Sequence, residues 1–152
     1  MAIAPQFRLI DNRRNDSELL NAVFGSVDEF RRVFYKKIVD EIIKNSPVDT
    51  GTYMESHEIQ EGRTSAVGTN SSRGKPRSQP KELYANSARS KLFAQIDSLT
   101  QNHRSVHIGN YSVHAPLVEY GGVKMPIIYA PYTRARDATP RFIREAIEEL
   151  RT

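Results

Sequence analysis

Apolar residues recur at helical spacing in three stretches of the chain. Val27, Phe30, Phe34, Ile38 and Ile42 follow one another three to four residues apart, and Val33, Val39 and Ile43 widen the stripe. The other side of that stretch carries Arg31, Arg32, Lys36, Lys37, Asp40, Glu41 and Lys44. Ser26-Val27-Asp28-Glu29 has the capping-box pattern, in which the Ser side chain accepts from the backbone N–H three residues on and the Glu reaches back. The spacing predicts an amphipathic helix over 27–44, about 27 Å long at 1.5 Å per residue. It ends near Asn45, with Pro47 just beyond. A weaker helical piece over 17–24 precedes it across Gly25. Leu83, Tyr84, Ala88, Leu92, Phe93, Ile96 and Leu99 predict a second helix over 81–100. Phe142, Ile143, Ala146, Ile147 and Leu150 predict a C-terminal helix, with Thr139 as N-cap and Pro140 at the first helical position.

The segments between these helices read differently. Pro47-Val48-Asp49-Thr50-Gly51 is turn chemistry: Asp49 and Thr50 bond nearby backbone and Gly51 takes positive φ. Residues 52–60 read as a short helical turn running into a strand. Residues 104–109 and 112–120 read as two antiparallel strands around Asn110-Tyr111, with Pro116 at an edge or bulge and Gly121-Gly122 closing the second. Residues 123–138 form a connector. Residues 1–15 have no convincing periodicity and read as an arm, either frayed or docked on a neighbouring subunit through Ile3, Phe7, Leu9 and Ile10. Residues 64–80 are rich in Ser, Gly, Pro, Arg and Lys and read as a long loop. The order predicts one α+β domain over 1–152. Its long N-terminal helix and C-terminal helix pack on one face of a small antiparallel sheet, and a basic loop plus an extra helix is inserted at 62–100.

Charge sharpens this picture. The net charge is +4, but between Gly62 and Gln95 seven cations face one acid, Glu82. That segment carries +6, which leaves −2 for the rest. Arg73, Lys75, Arg77 and Lys81 are therefore the candidate contacts to DNA phosphates or to an acidic protein neighbour, with a solvated loop as the plain alternative. The chain has no Cys, which excludes disulfides, thiolate zinc sites and a Cys nucleophile. No apolar run approaches the roughly 18–20 residues of a membrane span, and the first ten residues lack signal-peptide character, so the expectation is a soluble, unexported protein.

Candidate chemistry is thin. His103 and His107 have the i, i+4 spacing that suits a metal on a helix, but they fall at a strand entrance. His114 comes near His107 only by cross-strand pairing, and no supporting carboxylate is evident. Polar strand-face histidines are the preferred reading. Nothing places Asp49 beside Glu119 as an acid–base pair; Asp49 more simply organises its own turn. Glu119, between Val118 and Tyr120, points to the opposite strand face, towards solvent or towards a basic residue of a neighbouring subunit. Gly121-Gly122 lacks the further glycines and the helix of a phosphate-binding loop. No enzyme, cofactor or metal is expected.

Three segments, in order, resemble a known family. They are Ser46-Pro47-Val48-Asp49-Thr50-Gly51 after the long helix, Val113-His114-Ala115-Pro116-Leu117-Val118-Glu119-Tyr120-Gly121 after a short strand, and Pro140-Arg141-Phe142-Ile143-Arg144-Glu145-Ala146 opening the last helix. The pattern is similar to the tail-completion, or neck, proteins of long-tailed bacteriophages related to the minor tail protein Z group. The resemblance covers roughly residues 27–60 and 104–150. His57 departs from it, standing where the family has an aliphatic residue, and residues 62–100 match nothing in it. The resemblance implies a structural virion protein, commonly a hexameric ring between the tail terminator or tail tube and the head connector, with double-stranded DNA passing through the lumen. Subunit contacts would then fall to Glu119, Tyr120 and the arm residues Phe7 and Ile10. The runner-up is a small nucleic-acid-binding protein that uses the 63–91 segment.

Overall fold

The computed structural model describes residues 16–48, 51–62, 79–101, 103–123, 125 and 127–151, with side chains from Gly25 onward. Phe7, Ile10, Arg73, Lys75, Arg77 and the Asp49-Thr50 turn lie outside the described residues. The fold is α+β, as expected: helices surround a two-stranded antiparallel sheet.

Helix α1 runs from Asp16 to Asn45, thirty residues and about 45 Å. The weaker piece and the strong one are thus a single helix, and Ser26 is interior to it. Gly25 is tolerated because a helix already propagating on both sides loses only about 1 kcal/mol to a glycine. Val39, Ile42 and Ile43 are its buried residues at helical spacing. Its end is well satisfied: the Asn45 amide donates to the Glu41 carbonyl (2.8 Å), the Ser46 hydroxyl donates to the Ile42 carbonyl (2.7 Å), and Pro47 cannot continue the ladder.

The short helix α2 (Thr52–Glu55) leads into strand β1 (His57–Glu61), as the sequence suggests. Helix α3 (Lys81–Asp97) buries Tyr84, Ala88, Leu92 and Ile96, one residue per turn. Those residues meet Val39 and Ile43 of α1, Met54 of α2 and Ile59 of β1 in one core, so α1 packs on both the sheet and α3. The guanidinium of Arg32 donates to the carbonyls of Ile96 and Leu99 (2.7 Å to the latter), placing a cation on the negative end of α3.

Strand β2 (Val106–Asn110) pairs antiparallel with β1 in the register His57↔Asn110, Ile59↔Ile108, Glu61↔Val106. This corrects the hairpin expected around Asn110-Tyr111. Residues 115–120 are not a second strand but helix α4 (Ala115–Tyr120). The reason is local. Asn110 Oδ1 accepts from the Ser112 N–H (2.8 Å) and Ser112 Oγ from the His114 N–H (3.2 Å). Two successive side-chain turns thus break the strand, and Pro116 then suits the first turn of a helix. Gly121, at φ +73°, ends α4. The expected connector holds helix α5 (Pro131–Asp137).

Helix α6 (Thr139–Arg151) follows at once and buries Phe142 and Ala146. Thr139 is not its cap: the hydroxyl donates back to the Ala135 carbonyl (3.4 Å), inside a nearly continuous α5–α6 rod. Both α5 and α6 lie on α1.

Candidate functional site

The most enclosed polar chemistry lies where the C-terminal end of α1 meets β1, β2 and α5. His57 is fully buried. Its Nε2 lies 3.0 Å from Ser46 Oγ, and its Nδ1 lies 2.7 Å from Tyr132 Oη and 3.1 Å from Asn110 Nδ2. These contacts fix the tautomer. Ser46 gives its only proton to the Ile42 carbonyl, so it accepts from Nε2–H. Asn110 Nδ2 is a pure donor, so Nδ1 carries the lone pair and accepts from Asn110 and from the Tyr132 hydroxyl. The other Nδ2 proton goes to the Tyr53 carbonyl (2.8 Å).

The imidazole is therefore neutral and both its nitrogens are occupied. Burial, with a smaller contribution from the Lys91 charge, pushes its pKa down to about 3. Burial likewise pushes the Tyr53 and Tyr132 hydroxyls up, reinforced at Tyr53 by Glu119 and at Tyr132 by Tyr53, Glu119 and Tyr111. Tyr53 Oη is buried with no hydrogen-bond partner among the described residues. A neutral imidazole with saturated nitrogens is held for structure: it ties three elements together and has no free lone pair for a proton or a metal.

Beyond this network opens a groove of about 580 Å³. Its floor is β2, from His107 to Asn110; one wall is α4, with Ala115, Pro116 and Tyr120, and the other is α5, with Thr133 and Arg136. The His107 ring lies over Gly109, where an added Cβ would come within 2.8 Å of it. Glu119 joins the two walls. Its carboxylate accepts from the backbone N–H groups of Tyr132 (3.1 Å) and Thr133 (2.7 Å) and from the Thr133 hydroxyl (2.6 Å). It thus satisfies two orphan donors at the start of α5.

The sites expected from the sequence fare unevenly. Glu119 is not on a strand face; it is spent inside the chain as the cap of α5. Tyr120 is exposed (75%) at the groove's rim. Lys81 stands half-buried at the start of α3. His103 is buried, its Nδ1 against the Thr100 carbonyl (2.7 Å) and its Nε2 against Tyr35 Oη (3.1 Å). His107 and His114 are exposed, on β2 and ahead of α4, and with residues 115–120 helical the strand pair that would have aligned them does not form. Among the described residues no three His, Asp or Glu side chains are grouped to hold a metal.

Sequence reasoning missed the Ser46–His57–Tyr132 network, whose members lie 11 and 75 residues apart.

Searches of protein-family profiles, of curated proteins and of solved structures give no match to this chain.

Proposed function

We propose that this chain is a structural protein of a long-tailed bacteriophage, completing the tail as a ring and joining it to the head connector around the passing DNA. The observation that carries the reading is an apolar surface left open among the described residues. Tyr120 (75% exposed), Val123 (fully exposed), Ile127 (62%) and Ile128 (55%) fall within nine residues. They sit on and beside a tight turn in which Gly122 and Met125 exchange both backbone hydrogen bonds at 3.0 Å. Single exposed apolar residues are ordinary; four on one projecting turn mark a contact surface. The turn adjoins the groove between α4 and α5, so one copy offers both a projection and a recess. Two different patches of this kind give heterologous contacts, which close into a ring when the rotation permits. The ordered sequence segments that resemble tail-completion proteins supply the place of that ring.

The nucleic-acid reading gains less. Arg89 is engaged by Asp40 (2.6 Å) and Asn86 (3.1 Å), and Lys91 donates to the Glu55 carbonyl (2.7 Å). Two cations of the basic segment are thus committed within the chain. A titration with double-stranded DNA at low and at moderate salt separates the readings. The assembly reading expects weak binding or none by the isolated subunit. Tight binding that weakens steeply with salt, and is lost on neutralising Arg73, Lys75 and Arg77, overturns it.

A further inference from the structure

Among the described residues the sheet has two strands, so each strand has an edge not covered by the other. The parity of the ladder says which groups lie on those edges. Tyr111 N–H donates to the Ser56 carbonyl and Gly62 N–H to the Ser105 carbonyl. In this register residues 105, 107, 109 and 111 direct their backbone groups at β1. The N–H and C=O of Ile108 and Asn110 therefore face outward. On the other edge, Ile59 N–H is met by Gln95 Oε1 at 3.0 Å. No such partner reaches the outward backbone groups of Ile108 and Asn110 among the described residues. Ile108 and Asn110 also line the groove between α4 and α5. The groove is thus an open strand edge sunk between two helices, which admits a single extended chain and blocks a folded one.

We propose that this edge is completed by the segment Gln6–Ile10 of a second copy of the chain, added to β2 as a third strand. The segment has the required length and content: five residues to match the five of β2, no Pro or Gly after Pro5, and the apolar side chains Phe7, Leu9 and Ile10. Ala115, Pro116 and Tyr120 give one face of the added strand an apolar wall. The donor must be another copy, because the chain's own arm is too short. His57, bonded to Asn110 and Tyr132 at the groove, rests on Ser46, which is thirty residues and about 45 Å of helix from Asp16. Ile10 is six residues before Asp16, at most about 20 Å of extended chain. The inference rests on the ring reading for its purpose and names the joint of that ring, but it concerns two copies of this chain alone.

The cysteine-free chain allows a direct test in the full-length protein. His107→Cys is combined in turn with Phe7→Cys, Arg8→Cys, Leu9→Cys or Ile10→Cys, each pair is oxidised, and the products are sized without reductant. Strand addition is expected to give disulfide-linked dimers or longer chains at alternate arm positions, a period of two. No intermolecular product, equal linkage at all four positions, or linkage only within one chain overturns the proposal. In parallel, Ile108→Pro removes an outward N–H while leaving the bonds to β1. It is expected to keep the monomer's circular dichroism and to weaken self-association by about tenfold or more. Undiminished self-association of this variant overturns the proposal and leaves the ring reading standing; linked copies that never occur in phage particles do the reverse.

Discussion

Lowering the pH from 6.5 towards 3 is expected to remove about 4–5 kcal/mol of folding free energy through His57 alone. Its folded pKa is depressed, so the unfolded chain binds the proton more readily. The stabilisation is complete above the unfolded value of about 6.5 and is lost as the pH falls to about 3, at roughly 1.4 kcal/mol per pH unit. The physical reason is the donor–acceptor order of the network. Protonation puts a hydrogen on Nδ1, which already faces the Asn110 amide and the Tyr132 hydroxyl. A domain with about 5–15 kcal/mol in total has little left after such a loss. Urea titrations at stepped pH check it. His57→Leu, though less stable at neutral pH, should show a slope lower by about one proton across this window. An equal slope in the variant, or an imidazole that titrates near 6.5 by NMR in the folded protein, contradicts the assignment.

Replacing Gly51 with Ala is expected to cost about 3 kcal/mol, a fall of roughly 6–12 °C in melting temperature for a domain of this size. Two costs combine. Gly51 sits at φ +83° ahead of α2, a conformation that costs an L-residue about 1 kcal/mol or more. An added Cβ would also lie 2.2–2.7 Å from the ring of Tyr84, which the core cannot release without overpacking elsewhere, about 1–3 kcal/mol. Gly25→Ala is the control. Its Cβ meets nothing within 4 Å in a helical setting, so that change should be neutral or stabilise by up to about 1 kcal/mol. Thermal melts of the two variants beside the wild type read the contrast. A Gly51→Ala protein as stable as its parent would show that the turn does not approach Tyr84 as described.

The helices were legible because their signal repeats. Leu92 and Ile96 are buried with the period that the sequence displays, and Pro140 marks the start of α6 to within a residue. Gly51 was legible as a positive-φ turn residue, although its closeness to Tyr84 was not. Residues 115–120 misled because Val118 and Tyr120 alternate like a strand, whereas the stronger local statement was Pro116 ahead of Gly121, a helix start and a helix stop. The site was least legible. His57, Tyr132 and Asn110 meet only through tertiary packing, and nothing in the spacing of the three announces it. The role of Glu119 was hidden for the same reason: its partners are the backbone amides of a helix that the sequence reads as a connector.

The most direct measurement is electron microscopy of phage particles assembled without this chain. A ring that completes the tail and binds it to the connector leaves filled heads and finished but unattached tails when it is missing, with joining restored when the purified chain is added back. Intact, infectious particles assembled in its absence would contradict the account.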